Sequence, residues 1–205
     1  MLYNTTHKFT KIIEPPSQED IYNCPHYFSM SYDQIKSTNP PEFLIKLLDQ
    51  LPFDGRQNVI QVRPQDFRLA NTPIDGLQWH ADVSARLLDN KKLFAKKHND
   101  WHLMFISFGA GCGTEFITTP MNLIDNLIDH HNWPGALAKA LEQPFDTVLA
   151  PKNQLVEYTP RDLHRADGVM HSTGLRLAIV AFDCDDGGGN VRVLPSIKKL
   201  DEGKS

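Results

Sequence analysis

Leu175-Arg176-Leu177-Ala178-Ile179-Val180-Ala181-Phe182 is the stretch from which the rest of the chain is best read. A short, continuous apolar run bounded by the turn-like segment ending at Gly174 and the acidic, glycine-rich segment from Asp183 reads as a strongly apolar strand. Its one charged member, Arg176, is expensive to bury unless an anion faces it. Working outward, six further stretches read as strands: Asn58 to Arg63, Gln78 to Val83, Trp101 to Phe108, Gly113 to Thr118, Phe145 to Leu149 and Gln154 to Tyr158. Lys8 to Ile13 and Val191 to Leu194 are shorter candidates. Many strands joined by short polar turns predict a mainly β sandwich or barrel. Flanking helices are expected in two places. Asn39-Pro40-Pro41 starts one, and Phe43, Leu44, Leu47, Leu48 and Leu51 then recur at helical spacing until Pro52. Between Thr118 and Phe145, Ile124, Leu127, Ile128 and His131 form a second helical face, and Trp133-Pro134 opens a third helix running to Leu141. Ser17 is expected to cap a turn through Glu19 and Asp20.

At 205 residues the chain is long enough to bury a sizeable core, and one domain is expected over 1–205. Within it, 1–77 supports a core at 78–182 that carries a helical insertion at 121–142, and 183–205 forms a C-terminal extension. The net charge of −4 argues against a protein devoted to non-specific nucleic-acid binding. Lys91, Lys92, Lys96 and Lys97 read as a solvated helix face. Cys24, Cys112 and Cys184 are odd in number and widely spaced, so they build neither a disulfide framework nor paired zinc ligands, and a reducing cytoplasm is expected. No apolar run approaches the ~20 residues needed to span a bilayer, and no membrane partner is expected.

The chemistry concentrates in Trp79-His80-Ala81-Asp82-Val83. Residues i and i+2 of a strand project from one face, so His80 and Asp82 can address the same ion. His164, just beyond the strand Gln154 to Tyr158, is the preferred third ligand. His171, in the turn-like stretch before Arg176, is its competitor. Two imidazoles and a carboxylate on one side of an octahedral ion leave the other side open, the arrangement of non-haem Fe(II) oxygenases. His98, His102, His130 and His131 read as surface or satisfied core histidines.

Rival motifs are excluded by inspection. Gly109-Ala110-Gly111-Cys112-Gly113 lacks phosphate-loop spacing and runs into a strand instead of a helix, so it reads as a turn. Neither a G-x-S-x-G elbow nor an H-E-x-x-H helix occurs. Asp183, Asp185 and Asp186 lack the ligand spacing of a calcium loop.

In order and spacing, His80-x-Asp82, His164 and Arg176 resemble the Fe(II)- and 2-oxoglutarate-dependent dioxygenases. Gly111-Cys112-Gly113-Thr114-Glu115-Phe116 is similar to the Gly-Gly-x-Thr-x-Phe strand of the prolyl-4-hydroxylase-like members. Ala150 to Tyr158, His164, and Gly174 to Ile179 are similar to their closing strands. The resemblance covers roughly Gln78 to Phe182. It implies a double-stranded β-helix of the jelly-roll or cupin kind, Fe(II) held by His80, Asp82 and His164, and 2-oxoglutarate held by Arg176 through its distal carboxylate. It also implies an oxidoreductase that consumes O₂ and hydroxylates a substrate with release of succinate and CO₂. Many relatives carry a Ser two residues after the arginine as a second hydroxyl donor to the same carboxylate, whereas this chain has Ala178, and a Thr or Tyr from another strand is the expected substitute. Fold and cofactor do not name the substrate. A protein side chain or a small metabolite is expected, with nucleic acid ranked last. Residues 1 to 77 and the insertion from Met121 to Glu142 are expected to shape its pocket. Two other readings fit the same residues: a cupin-like divalent-metal hydrolase or isomerase, and a non-catalytic 2-oxoglutarate-binding module, towards which Ala178 points.

Overall fold

Apolar alternation organises the chain into one large antiparallel sheet, with helices packed on one face and a smaller sheet on the other. The computed structural model describes residues 2–3, 7–52, 59–67, 79–80, 103–110, 114–119, 121–122, 141–158, 162–166, 174–182 and 191–203. Their elements are β1 (Leu2–Tyr3), β2 (Lys8–Ile12), α1 (Gln18–Asn23), β3 (His26–Met30), α2 (Tyr32–Ser37), α3 (Glu42–Leu48), β4 (Val59–Asp66), β5 (Leu103–Gly109), β6 (Thr114–Ile117), β7 (Met121–Asn122), β8 (Thr147–Leu149), β9 (Gln154–Tyr158), β10 (His164–Ala166), β11 (Leu175–Phe182), β12 (Arg192–Leu194) and α4 (Ile197–Glu202). The fold is mainly β. Seven strands form a sheet in the order β12-β3-β4-β11-β5-β9-β2, three form a second in the order β10-β6-β8, and β1 pairs with β7. Every pairing is antiparallel.

β11 is central because both of its faces are covered. Leu175, Leu177, Ile179 and Ala181 join Ile60, Val62, Met104, Ile106, Phe108 and Leu155 in a core closed by Ile21 of α1, Ile35 of α2, Leu44, Leu47 and Leu48 of α3, and Ile197 of α4. The opposite face meets the smaller sheet. There Leu103, Phe105, Val156, Tyr158 and Phe182 of the large sheet pack with Phe116 of β6 and Val148 of β8. Each large side chain buried in this way stabilises the fold by roughly 1.5–3 kcal/mol. Alternation along β11 therefore turns Arg176 and Ala178 towards the layer between the two sheets.

Several expectations meet their correction here. The turn expected at Ser17 is the helix α1. The Ser17 hydroxyl accepts from the Asp20 N–H at 3.1 Å, and the Asp20 carboxylate accepts from the Ser17 N–H at 3.1 Å, a closed capping box. Ser31 and Gln34 cap α2 in the same way. β4 continues past Arg63 to Asp66, through Pro64. Because Tyr27 pairs with Val62, His26 at the start of β3 stands level with Arg63, so Pro64 lies beyond that ladder and its missing N–H breaks no bond there. The strand expected from Phe145 begins at Thr147, and β3, β10, α2 and α4 were not expected. The helices expected at 124–131 and 133–141 lie, but for Leu141, outside the described residues. So do Gly111–Gly113, the lysines at 91–97, His98, His102, His130, His131 and the acidic stretch at 183–189. Among the described residues, no helix is long and apolar enough to cross a membrane.

Candidate metal and anion site

His164 opens β10 and stands between two backbone partners. On one side it is level with Phe116 of β6. On the other it forms an isolated bridge with His80, in which the His80 N–H donates to the His164 carbonyl at 3.0 Å and the His164 N–H donates to the His80 carbonyl at 2.9 Å. Residues paired in this way project from one face of a sheet. The two imidazoles accordingly lie side by side, with ring centroids 4.3 Å apart and planes at 54°. His80 and His164, distant in sequence, are thus brought together. Asp82 and His171 lie outside the described residues, and among the described residues no three His, Cys, Asp or Glu side chains form a metal-binding group.

The surroundings of this pair orient it. His164 is only 7% exposed, and its ring meets Phe116 at 5.6 Å and Tyr158 edge-on at 5.1 Å. Its Nδ1 lies 2.9 Å from the Asp162 carbonyl. A carbonyl can only accept, so Nδ1 carries the proton and Nε2 is the nitrogen with a lone pair for a metal. On the outer face of the same strands, Arg165 bonds the Glu115 carboxylate through Nε and Nη2, each at 2.7 Å, and its guanidinium lies 4.5 Å over the Trp79 ring. This stack ties the residue before His80 to β10 and supports the register of the bridge. His7, which the sequence did not single out, stacks on Phe116 at 4.9 Å, with its Nδ1 3.9 Å from the Asp162 carboxylate.

Arg176 belongs to the facing sheet and to the same interior layer. It is 5% exposed. Its Nη1 donates to Gln65 Oε1 over a long 3.4 Å, its Nε has no hydrogen-bond partner among the described residues, and its guanidinium lies 5.8 Å from the Phe105 ring. Burial, and then the neighbouring charge of Arg63, bring its pKa down to about 10. It nevertheless stays cationic at neutral pH. Among the described strand residues facing this layer there is no Asp or Glu, since Glu115, Glu157 and Asp66 alternate to the other faces of their strands. A guanidinium so enclosed, with neutral partners only, is suited to an anionic ligand. Phe105, beside Arg176, and Phe116 and Tyr158, beside His164, belong to one apolar cluster, so the cation and the imidazole pair border the same layer.

Residues that sequence reasoning missed are Asp162, Gln65 and Ser107. Ser107 of β5 is 6% exposed and stands directly opposite Ala178. None of the three belongs to a spacing pattern, and only strand register reveals them.

No protein-family model matches the chain, no curated protein matches it, and no solved structure matches it.

Proposed function

We propose that this protein is an Fe(II)- and 2-oxoglutarate-dependent dioxygenase of the prolyl-4-hydroxylase-like branch, built on a double-stranded β-helix, which hydroxylates a protein side chain or a small molecule. The backbone pairing of His80 with His164 carries the reading, because it sets two imidazoles beside each other at the layer that also holds a buried arginine with no acidic partner among the described residues. Strand order supports the architecture. In chain order β4, the His80 bridge, β5, β6, β8, β9, β10 and β11 fall alternately to the large and small sheets, with only β6 and β8 consecutive in the small one. Alternation of this kind is what the winding of a jelly roll requires, and it supports that part of the reading.

In this reading His80, Asp82 and His164 hold the iron, and the hydrogen bond from Nδ1 to the Asp162 carbonyl aims Nε2 of His164 at it. Arg176 receives the distal carboxylate of 2-oxoglutarate, as a planar fork of donors does best. Phe105, Phe116 and Tyr158 exclude water around both groups, which strengthens the charge interaction and protects the reaction. Bound iron, with 2-oxoglutarate and O₂, supplies the oxidising chemistry, and the protein supplies orientation.

The decisive experiment is anaerobic titration of the Fe(II)-loaded protein with 2-oxoglutarate. A weak visible charge-transfer band is expected in the parent and a much weaker one in Arg176→Leu at the same ligand concentration, with iron content unchanged. Iron bound with no band in the parent rejects the reading in favour of a cupin-like metal hydrolase or isomerase. A band without succinate release across a substrate screen points to the non-catalytic binding module.

A further inference from the structure

We propose that the outer edge of β12 docks an extended, acidic segment of a partner protein by strand addition, with a partner carboxylate facing Arg192. The proposal is independent of the oxygenase reading, because β12 ends the seven-stranded sheet, with β3 and β4 between it and β11. The two ends of that sheet differ. β12 pairs with β3 on one side, and among the described residues nothing pairs with its other side. A strand so placed presents unpaired backbone N–H and C=O groups, which folded proteins commonly guard with lysines or bulges. The opposite end is guarded in this way: β2 carries Lys8 and Lys11, and its register shifts between Phe9 and Ile12. β12 has no lysine and an unbroken register. Its residues are exposed throughout, Val193 and Leu194 among them, and exposed Val191 precedes them.

The one charge on β12 defines the occupant. Alternation puts Arg192 and Leu194 on the site-side face, level with Phe28 and His26 of β3. The Arg192 guanidinium lies 4.6 Å over the Phe28 ring, and that ring stacks on His26 with centroids 6.0 Å apart and planes at 11°. The contact draws the side chain back over its own sheet, so it leaves the edge open and fixes a cation beside it. Among the described residues Arg192 has no carboxylate partner. Nor does any described Asp or Glu of β12, β3 or β4 share its face, since Asp66 turns to the other side. Every pairing in this sheet is antiparallel, and an added strand that continues the pattern sets an acid opposite Arg192 and apolar residues opposite Val193 and Leu194. From its N-terminus such a segment reads apolar, apolar, acid. Opposite charges in cross-strand pairs attract and like charges repel. A second copy of this chain, paired about Val193, would bring two Arg192 side chains one diagonal step apart on one face, so an acidic partner is the better match. The ladder of β12 is three residues long, and backbone pairing alone is therefore weak.

The test is fluorescence anisotropy of the full, metal-free chain at low salt with the labelled peptide Ser-Thr-Val-Val-Asp-Val-Thr-Ser. This peptide is expected to bind about tenfold more tightly than its counterpart with Lys in place of Asp, the swing between an attractive and a repulsive cross-strand pair. Arg192→Glu is expected to reverse the preference, and because that variant gains a ligand, misfolding cannot imitate the result. Methylating the peptide's backbone nitrogens along one edge is expected to abolish binding, and methylating them along the other edge to leave it unchanged, the mark of strand addition. Equal binding of the Asp and Lys peptides overturns the proposal, as does an Arg192→Glu variant with the parent's preference or equal binding of both methylated forms. A parent chain that is dimeric at the concentrations used, and that Val193→Lys makes monomeric, assigns the edge to a second copy and also overturns it.

Discussion

At the scale of single residues, Arg176 concentrates the tension between stability and use. Its guanidinium is removed from water, is repelled by Arg63 and, among the described residues, has a single long bond to Gln65 in return. Replacing a buried charge by a well-packed apolar side chain is often neutral or stabilising by about 1–4 kcal/mol. Arg176→Leu is therefore expected to leave the ligand-free protein as stable as the parent or more so, while abolishing tight 2-oxoglutarate binding; denaturant unfolding of both proteins without ligand checks this. A loss of stability there would mean that the arginine is a structural partner. His164 shows the complementary case, a side chain whose orientation is satisfied within the protein by the Asp162 carbonyl.

At the scale of elements, the join between β5 and β11 is the point where backbone geometry matters most. Gly109 ends β5 with φ at +84°, and a Cβ placed there would come within 2.3 Å of the Leu175 carbonyl oxygen. That carbonyl also accepts from the Ala110 N–H at 2.7 Å, which closes the corner beside Arg176. Gly109→Ala is thus expected to destabilise the fold by more than the ~1 kcal/mol typical of relieving glycine freedom in the opposite sense, and to weaken ligand binding along with it. Thermal unfolding together with the 2-oxoglutarate titration measures both effects. The strands were legible to different degrees. β5, β9 and β11 show apolar patterns that any buried strand must have, and α3 shows the 3–4 spacing of a helix packed on one side. β10 is the three residues His164-Arg165-Ala166, with no apolar pattern at all. It is a strand because Phe116, Glu115 and His80 are there to pair with it.

At the scale of the whole molecule, one face of the large sheet carries the helix-side core and the other carries the candidate site. The helix-side core is apolar throughout, whereas the inter-sheet layer mixes Phe105, Phe116 and Tyr158 with Arg176 and His164. The site-side face extends to His26 on β3, where burial and then the charge of Arg63 lower the imidazole pKa from 6.5 to about 4. A base with a lower pKa when folded binds fewer protons in the folded state, so its contribution turns against folding as pH falls below about 6.5 and levels off below about 4. Stability is expected to decline across that window, and His26→Gln is expected to flatten the decline; urea unfolding at a series of pH values tests this. A variant as acid-sensitive as the parent would assign the effect to carboxylates elsewhere.

Read from the sequence alone, the residue types and local periods of this protein already carry the β-rich class, the central strand at 175–182, the helix after Pro41 and the chemical suitability of His80, His164 and Arg176. These properties are local, since burial of a strand or a helix face imposes its pattern on neighbouring residues. Only the tertiary structure decided that His80 meets His164, that Ser107 stands opposite Ala178 and that no described acid faces Arg176 from the strands around it. Each of those depends on register between strands far apart in the chain. A slip of one residue would turn every side chain to the other face, and nothing within a single strand specifies which residue of another it will meet.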